Sequence, residues 1–487
     1  MAEPHHMVAE TELRAGAIGL PGVLMQGVTS IAPAIAGLFT IPFIVSNAGI
    51  TAPLAYLGAF IIALMLGYVL AEYSKYMTSA GTYYTFVSKS LGGRAGFLVA
   101  WVYLLFYPVV VAQVGSFMGS TLQSTLKAEY GWTFKWWWFM IILIVLVTVT
   151  AFYGIEISTG VVVVLGIIET LIVLALAISG FADPGKGGVN LHWLNPGNAP
   201  SGHALFLGIV FAIFAISGWD AAAPIAEESE DPKKTIPRGV MGSIIILGVF
   251  LVFVSWGQTA GWGTDDMKGF AGSSELPAFV LGHKFWGGAW VIVLIALLNS
   301  AVAVAIATTN AATRFIYGMA RSGVLPRQLT SVHPRYKTPT GAIAFQTLVN
   351  IGLGLVLPIA VGVANVYNIT GTWFTFALAP VYVAANLGLF VYMRKNHPSD
   401  FNWFKHAFIP LVGSIALGFV VYYSLSPLPP WPIKLAPLVV VLWLAAGVVL
   451  LVTLIATGRE SLLANAGVAA KERIETPEEL AARSEFI

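Results

Sequence analysis

Twelve long apolar runs divide this sequence, and each is long enough to cross a lipid bilayer. A membrane-spanning helix needs roughly 20 mostly apolar residues. The runs cover residues 16–44, 53–77, 94–124, 136–153, 156–180, 203–226, 239–262, 286–313, 340–362, 366–393, 407–426 and 432–457. Only 10% of the 487 residues are charged, against about 25% in an average soluble protein. This is too few to cover a water-soluble particle, so the sequence predicts an all-α membrane protein with about 12 transmembrane helices.

The composition and the motifs argue against several other classes of protein. The formal net charge of +2 provides no basic field to attract nucleic acid. The sequence has no cysteine, which excludes thiol catalysis, disulfide bonds and cysteine metal sites. It contains no H-E-x-x-H or G-x-S-x-G motif, and Gly187 stands where a phosphate loop beginning at Gly180 needs Ser or Thr. The sequence therefore predicts no enzyme, no cofactor, no metal site and no nucleic-acid partner.

Lysine and arginine are concentrated in every second loop. With the N-terminus inside, the inner segments contain 19 of the 25 Lys and Arg residues and the outer segments contain 6. The positive-inside rule then predicts that both tails, 1–15 and 458–487, are cytoplasmic. The first fifteen residues carry three glutamates and one strong base, Arg14, so no cleaved signal peptide is expected. We expect a multi-pass protein of the cell (inner) membrane, surrounded by the lipid bilayer and present as a monomer or homodimer.

Two acidic residues lie well inside the apolar runs, Glu169 in the fifth and Asp220 in the sixth. Ionisable groups at such depth are costly and commonly functional. No Lys, Arg or His lies at comparable depth to neutralise them. A proton, a metal cation or an amine substrate would supply the missing positive charge. The alternative is a permanently protonated carboxyl that is hydrogen-bonded to a neighbouring Thr or Tyr.

Helix-breaking residues interrupt the first and the sixth runs. In the first run, Pro33 lacks an N–H group and follows Ser30. The sixth run contains Ser217 and Gly218, with Pro224 after them. Because runs one and six begin two successive sets of five, the paired interruptions are typical of a transporter built from an inverted repeat. Such breaks expose backbone N–H and C=O groups near mid-membrane, where these groups can hold a small polar molecule.

Three segments resemble motifs of the amino acid–polyamine–organocation (APC) superfamily. The segment from Phe214 to Arg238, FAISGWDAAAPIAEESEDPKKTIPR, is similar to the family's sixth span and the loop that follows it. The segments NAATRFIYGMARSGVLP, from Asn310, and SAGTYY, from Ser79, are similar to motifs after its eighth and second spans. The resemblance implies a LeuT-like five-plus-five inverted repeat with two extra C-terminal helices. It also implies a substrate held between spans 1, 3, 6, 8 and 10.

The resemblance also suggests domain limits and two departures from the family pattern. Repeat one covers about 16–180, repeat two about 203–393 and the extra helices about 407–457, within a transporter domain of 16–457. Many family members carry Gly-[small]-Gly at the first interruption, where this chain has bulkier side chains and Pro33. This puts the capture of a substrate carboxylate by bare N–H groups in doubt. Some proton-coupled relatives place a Lys in span five where this chain has Glu169, so the charge is reversed.

The predicted substrate site comprises the residues of both interruptions. They are Ser30, Ile31, Ala32, Ala34, Phe214, Ala215, Ile216, Ser217, Trp219 and Asp220. Ser30, Ile31, Ala32 and Ala34 are expected to bind the anionic or polar end of the substrate. Phe214, Ala215, Ile216 and Ser217 are expected to bind the amine end through their carbonyls, since the carbonyl end of a half-helix favours positive charge. Phe214 is the candidate aromatic gate, and ordinary packing is the alternative.

The predicted function is that of a secondary active transporter, a permease that imports an amino acid or related organic amine by alternating access. Asp220 is predicted to stabilise the positive charge of the amine. Glu169, together with Asp220, is predicted to carry a coupling proton, because desolvation favours the protonated form of a carboxyl. A sodium site of Glu169 with Thr308 or Thr309 is the alternative for coupling. A substrate–product exchanger of the same fold is the alternative for function.

Overall fold

Within the part of the chain that the computed structural model describes, twelve helical segments are long and apolar enough to cross a membrane, and they match the twelve predicted runs one to one. We number them as spans 1 to 12: Leu20–Phe39, Ile41–Tyr76, Gly93–Tyr130, Trp136–Tyr153, Ser158–Ala182, Gly202–Ala222, Pro232–Trp262, Pro277–Arg321, Thr340–Val361, Val363–Asn396, Phe404–Leu425 and Leu435–Ala456. The structure describes residues 13–321, 323–426 and 431–457, and within them it contains no β-strand. The predicted all-α multi-pass membrane fold is confirmed. Residues 1–12 of the predicted N-terminal tail and the predicted tail 458–487 lie outside the described residues.

Spans 1 and 6 are interrupted near their middle, as the sequence predicts. In span 1, the helix Leu20–Ile31 ends at Ala32, whose φ of 60° lies in the left-handed region, and the chain continues as a π-helix at Ile35–Phe39. In span 6, the helix Gly202–Ile216 ends and a short 3₁₀ turn, Trp219–Ala222, follows. The two predicted interruptions therefore lie in the first and the sixth spans. The structural equivalence of spans 1–5 and spans 6–10 stays a prediction.

Span 3 is interrupted as well, which the sequence analysis did not predict. Its helix Gly93–Tyr103 ends, a 3₁₀ turn forms at Tyr107–Val109, and a second helix runs from Val110 to Tyr130. Pro108 explains the break, because it has no N–H to donate to the carbonyl of Leu104 and so cannot continue the helix. Three broken spans thus converge on one region.

The remaining spans form a frame around these breaks. Spans 2 and 7 pack along each other, span 7 also packs against spans 1 and 5, and span 8 packs against spans 3 and 5. Spans 11 and 12 are the least buried. Span 12 is fixed to span 3 by Trp101 and Trp443, whose rings stack at 4.6 Å and whose indole N–H groups each donate to the other's backbone carbonyl at 2.7 Å. The frame holds the interrupted spans in place.

One end of the molecule carries the loops that the positive-inside rule predicts to be cytoplasmic, and we call it the predicted inner face. Here the chain before span 1 pairs with the loop after span 6. The N–H of Ile18 donates to the carbonyl of Glu228 at 3.1 Å, and the N–H of Glu230 donates to the carbonyl of Ile18 at 2.9 Å. The loop after span 2 joins the same loop, because the N–H of Ala80 donates to the Glu227 carboxylate at 3.0 Å. Three segments distant in sequence are thus fastened together at this end.

Candidate functional site

The interruptions of spans 1 and 6 touch each other through their backbones. Gly218, which follows Ser217, has a φ of 129°, a conformation that strongly favours glycine. A Cβ atom placed on Gly218 would lie 2.5 Å from the backbone oxygen of Ser30. Only glycine therefore allows the two breaks to approach this closely.

A cavity with about 540 Å³ of empty space, part of it open to solvent, lies beside this contact. Its lining consists of Ser30, Ile31, Ala32, Ile35, Ala36, Thr40, Tyr107, Val110, Gln113, Val114, Phe214, Ala215, Ser217, Gly218, Val304, Thr308, Tyr367 and Phe374. We call this space the central cavity. It is bounded by spans 1, 3, 6, 8 and 10, the five spans that the family resemblance implies.

Six of the residues predicted from the two interruptions line the central cavity. They are Ser30, Ile31, Ala32, Phe214, Ala215 and Ser217. The other four, Ala34, Ile216, Trp219 and Asp220, are fully buried and do not line it. Side chains on opposite sides of a turn point apart, so only part of each interruption faces the cavity.

The sequence analysis missed the contribution of span 3. Tyr107 and Gln113 line the cavity from the break in that span. A signal was present, because Pro108 stands inside an apolar run and Gln113 is a polar residue little more than one turn further on. From span 10, Tyr367 and Phe374 complete the wall, and nothing in their local sequence distinguishes them from ordinary aromatic residues of an apolar helix.

Three polar atoms in the cavity wall have no hydrogen-bond partner among the described residues: the Ser30 hydroxyl, the Tyr107 hydroxyl and the Gln113 Nε2. Other hydroxyls in the wall are already bonded, since Ser217 and Thr308 each donate to a backbone carbonyl one turn earlier at 2.7 Å. Buried polar atoms are normally paired. The Ser30 hydroxyl and the Gln113 amide are therefore the strongest candidates to bind a polar ligand, since the Tyr107 hydroxyl lies beside the Asp220 carboxyl.

Asp220 lies behind the cavity wall, within a group of tyrosines. The Tyr103 hydroxyl donates to its Oδ2 at 3.0 Å, and the hydroxyls of Tyr107 and Tyr382 lie close to the same carboxyl. Its Oδ1 has no hydrogen-bond partner in the described parts of the chain. Tyr107 is shared between this group and the cavity wall. Asp220 can therefore influence a molecule in the cavity through Tyr107 or through the backbone, without direct contact.

Glu169 binds the interruption of span 1 directly. Its Oε2 accepts a hydrogen bond from the N–H of Ala34 at 3.2 Å, and its Oε1 has no partner among the described residues. The Ser300 hydroxyl of span 8 interacts with the same carboxyl and accepts a hydrogen bond from the N–H of Ile35 at 3.4 Å. Pro33 has no N–H, so the N–H groups of Ala34 and Ile35 are the first backbone donors of the second half of span 1. Both are occupied. They are not offered to the central cavity.

The hydroxyl beside Glu169 thus comes from Ser300. Thr308 and Thr309, which the sequence analysis considered as cation ligands with Glu169, lie eight and nine residues further along span 8, about 12 Å away along the helix axis. Thr308 lines the central cavity instead. Neither Glu169 nor Asp220 forms an ion pair within the described residues.

Aromatic rings narrow the cavity on the side away from the predicted inner face. The ring centroids of Phe39 and Phe117 lie 3.8 Å apart, and Tyr367 lies 5.1 and 5.3 Å from these two rings. We call these three residues the outer aromatic cluster. Phe214, the predicted aromatic gate, lies 6.3 Å from Tyr367 and forms part of the cavity wall below it.

Two ion pairs close the opposite side. Arg314 is fully buried and binds Glu228 through two hydrogen bonds, of 2.8 and 3.3 Å. Arg321 binds Glu227 through two further hydrogen bonds, and this pair is partly exposed. We call these four residues the inner ion-pair cluster. It joins the end of span 8 to the loop after span 6, below Asp220.

One group of potential metal ligands lies elsewhere. Glu129, Glu275 and His283 place ligand atoms within 4.8 Å of one another in the described part of the chain, and all three are exposed. None of them lines the central cavity. The candidate site therefore consists of the central cavity, the two buried carboxyls and the two closures.

Comparisons with known proteins agree with this architecture. The profile of the family "Amino acid permease" matches residues 19–456, nearly the whole chain. A branched-chain amino acid permease of Bacillus subtilis is 28% identical over 400 residues, which cover 78% of this chain and 81% of the relative. A low-affinity putrescine importer of Escherichia coli is 24% identical, over 75% of this chain and 79% of the relative. A serine/threonine exchanger of Bacillus subtilis is 23% identical, over 75% and 80%. This chain therefore belongs to the amino acid permease family of the APC superfamily.

Proposed function

We propose that this protein is a secondary active transporter that imports an amino acid or related organic amine across the cell membrane by coupling uptake to protons. The observation that carries the proposal is the central cavity between two interrupted helices, bounded on its two sides by different groups. A carrier needs a site that can be opened to either side in turn. The names of the relatives support amino acids and amines as the class of cargo. The distribution of Lys and Arg supports a cytoplasmic location for both termini.

The amine end of the substrate binds at the end of the first half of span 6. The last carbonyls of a helix have no partner within it and carry partial negative charge. Ser217 satisfies the carbonyls of Ile213 and Phe214 through its hydroxyl and its N–H, at 2.7 and 3.3 Å. Of the remaining carbonyls, that of Ala215 belongs to a residue of the cavity wall and is the acceptor for an ammonium group. Asp220, one turn further on, adds negative charge behind Tyr107.

The polar or anionic end binds the neutral donors of the wall. The N–H groups of Ala34 and Ile35 are engaged by Glu169 and Ser300, so they do not receive a substrate carboxylate in this state. The Ser30 hydroxyl and the Gln113 amide are unpaired and take that role. The departure from the family's Gly-[small]-Gly pattern is thereby compensated from span 3.

Glu169 couples the proton to movement. As a carboxylate it holds the start of the second half of span 1 through a charge-assisted hydrogen bond, which is stronger than a neutral one. Protonation removes the charge and loosens this contact between spans 1 and 5. A proton that binds from outside and leaves inside therefore changes the restraint on an element that has to move.

The test is uptake of labelled amino acids and amines into liposomes that contain the purified protein, with an imposed pH gradient in sodium-free buffer. The parent protein is expected to accumulate substrate. The Glu169→Gln variant keeps the side-chain size and removes the titratable group, so it is expected to retain exchange and to lose accumulation. Glu275→Gln removes an exposed carboxylate and serves as the control.

Two outcomes contradict the proposal. If accumulation requires sodium, the coupling ion is sodium and not a proton. Exchange without accumulation by the parent would identify a substrate–product exchanger, the function printed for one of the relatives.

A further inference from the structure

The second half of span 1 is not a regular helix. It begins as the π-helix Ile35–Phe39, and the helix Ile41–Ala48 follows directly after Thr40. The N–H of Thr40 donates to the carbonyl of Ile35 at 3.1 Å, so this hydrogen bond joins residues five apart in sequence and not four. Such π-helical turns are rare and are frequently found at functional sites.

This π-helical segment contributes to two parts of the candidate site. Ile35, Ala36 and Thr40 line the central cavity. Phe39, at the end of the same segment, belongs to the outer aromatic cluster. The groups that hold the segment in its π-helical form therefore also determine the shape of the cavity wall.

A proline interrupts the hydrogen bonding of this segment. With the same spacing of five residues, the N–H of residue 42 would donate to the carbonyl of Gly37, but residue 42 is a proline and has no N–H. The next two N–H groups, of Phe43 and Ile44, both donate to the carbonyl of Thr40, at 3.1 and 3.3 Å. The π-helical spacing therefore lacks a backbone donor at Gly37.

Side chains from two other helices bind this part of the backbone. Gln258 of span 7 donates through its Nε2 to the carbonyl of Gly37, in place of the missing N–H. Tyr56 of span 2 donates its hydroxyl to the neighbouring carbonyl of Ala36 at 2.6 Å. Both side chains are fully buried. The two carbonyls are thus paired although they lie deep among apolar helices.

The amide of Gln258 is placed for this one donation. Its Oε1 has no hydrogen-bond partner within the described residues. A buried acceptor that stays unpaired costs free energy, and an apolar side chain of the same size would avoid that cost. The N–H donor is therefore the property of Gln258 that this position uses.

We propose that Gln258 and Tyr56 are positioning residues of the transport site. Gln258 replaces the N–H that Pro42 lacks, and together with Tyr56 it holds the second half of span 1 in the π-helical form. Neither side chain lines the central cavity, so both act through the backbone of span 1. The proposal rests on the proposed function in one respect, since it takes the central cavity as the substrate site.

The test measures how fast an impermeant thiol reagent labels a cysteine in the cavity wall, introduced as Ala215→Cys, from each side of the membrane. Gln258→Met keeps the length of the side chain and removes the donor, and Tyr56→Phe removes one oxygen atom. Each change leaves a buried carbonyl without its donor, so the segment that carries Phe39 should loosen. Labelling from the outer side should become about 10-fold faster, and labelling from the inner side should not change.

A second buried tyrosine of span 2 provides a matched control. The Tyr73 hydroxyl lies near the predicted inner face and donates to the carbonyl of Ala385 at 3.2 Å. Tyr73→Phe removes the same group from the same helix. It should lower the thermal stability about as much as Tyr56→Phe does, and it should leave labelling from the outer side at the parent rate.

Restoring the backbone donor tests the mechanism directly. Pro42→Ala returns an N–H to residue 42, which can donate to the carbonyl of Gly37. The double variant Gln258→Met with Pro42→Ala should therefore be labelled at about the parent rate. If Gln258→Met does not fold, Tyr56→Phe and Tyr73→Phe remain as the comparison.

Three results would contradict the proposal. Outer labelling at the parent rate in both Gln258→Met and Tyr56→Phe would show that these residues do not position span 1. Equally fast outer labelling in Tyr73→Phe would assign the effect to general loss of stability. Fast labelling that persists after Pro42→Ala would show that Gln258 does not replace the missing N–H. Absence of uptake by the parent would overturn the proposed function alone, because the labelling rates need no substrate and still decide the role of Gln258.

Discussion

The two closures of the central cavity are built from different chemistry. The outer aromatic cluster consists of Phe39, Phe117 and Tyr367, which are in contact through their rings. The inner ion-pair cluster consists of two carboxylate–guanidinium pairs, one of them fully buried, and it is reinforced by backbone pairing at Ile18. An aromatic pair contributes about 0.5–1.5 kcal/mol beyond its burial, whereas breaking a buried ion pair by removing one partner costs about 3–5 kcal/mol.

This difference indicates which side of the central cavity opens more readily. The outer cluster can separate by rotation of a few rings, so the cavity can exchange with the outer side at small cost. The inner cluster opens only if the four charged groups are hydrated together. Under the proposed function, opening toward the predicted inner face is therefore the step that the bound substrate and the proposed coupling proton have to favour. Because the chain has no cysteine, a single Ala215→Cys substitution in the cavity wall provides a background-free probe of access from each side.

The largest effect is expected for Arg314→Met. The change leaves the buried Glu228 without its partner, so the closed inner state should lose about 3–5 kcal/mol. Labelling of the cavity cysteine by an impermeant thiol reagent from the inner face should become about 100-fold faster or more, since 1.4 kcal/mol corresponds to a factor of about ten.

The double variant Arg314→Met with Glu228→Leu is the control for this pair. Replacing both partners by apolar residues is often neutral. Thermal stability should therefore recover, and labelling from the inner face should slow again. Unchanged labelling in the single variant would show that the pair does not hold the inner side closed.

A smaller effect is expected for Asp220→Asn. This residue lies between the central cavity and the inner ion-pair cluster. The substitution keeps the volume and the hydrogen bond from Tyr103 but removes the negative charge. A direct hydrogen bond to a charged group contributes about 1.5–3 kcal/mol, and Asp220 acts through Tyr107 without direct contact, so substrate affinity should fall by about 10-fold. Binding isotherms of the purified variant measure this. An unchanged affinity and an unchanged pH dependence of transport would reduce Asp220 to a structural acceptor.

Phe39→Ala tests the outer cluster. Loss of the ring contacts with Phe117 and Tyr367 should destabilise the closed outer state by about 1 kcal/mol. Labelling of the cavity cysteine from the outer side should then become about 5-fold faster. Tyr367→Phe keeps the ring and should behave as the parent does. Faster labelling from the inner side instead would reverse the assignment of the two closures.

The smallest effect is expected for Arg321→Gln. Glu227 is partly exposed and keeps the hydrogen bond from the N–H of Ala80, so water and the backbone replace much of what is lost. About 1 kcal/mol or less is expected for such a pair, with a correspondingly small rise in labelling from the inner face. An effect equal to that of Arg314→Met would mean that burial does not decide the strength of this closure.

The sequence predicted the spans well and the site in part, for physical reasons. Long apolar runs determine transmembrane helices almost directly, and Pro33 and Gly218 mark interruptions that need no tertiary information. The orientation of Asp220 was not predictable, because the turn of the chain after Gly218 and a tyrosine 117 residues away determine where the carboxylate lies. The same holds for Ala34, whose N–H is engaged by a residue on another span.

The contact between Gly218 and Ser30 has a consequence for how this architecture diversifies. At that point two backbones touch, so any added side-chain atom would push the interruptions apart. Substitution of Gly218 is therefore disfavoured, whereas the cavity walls supplied by spans 3 and 10 can change one residue at a time without disturbing this contact. New cargo preferences can thus arise by substitutions in the walls alone, which fits a family whose named members handle molecules as different as a branched-chain amino acid and putrescine.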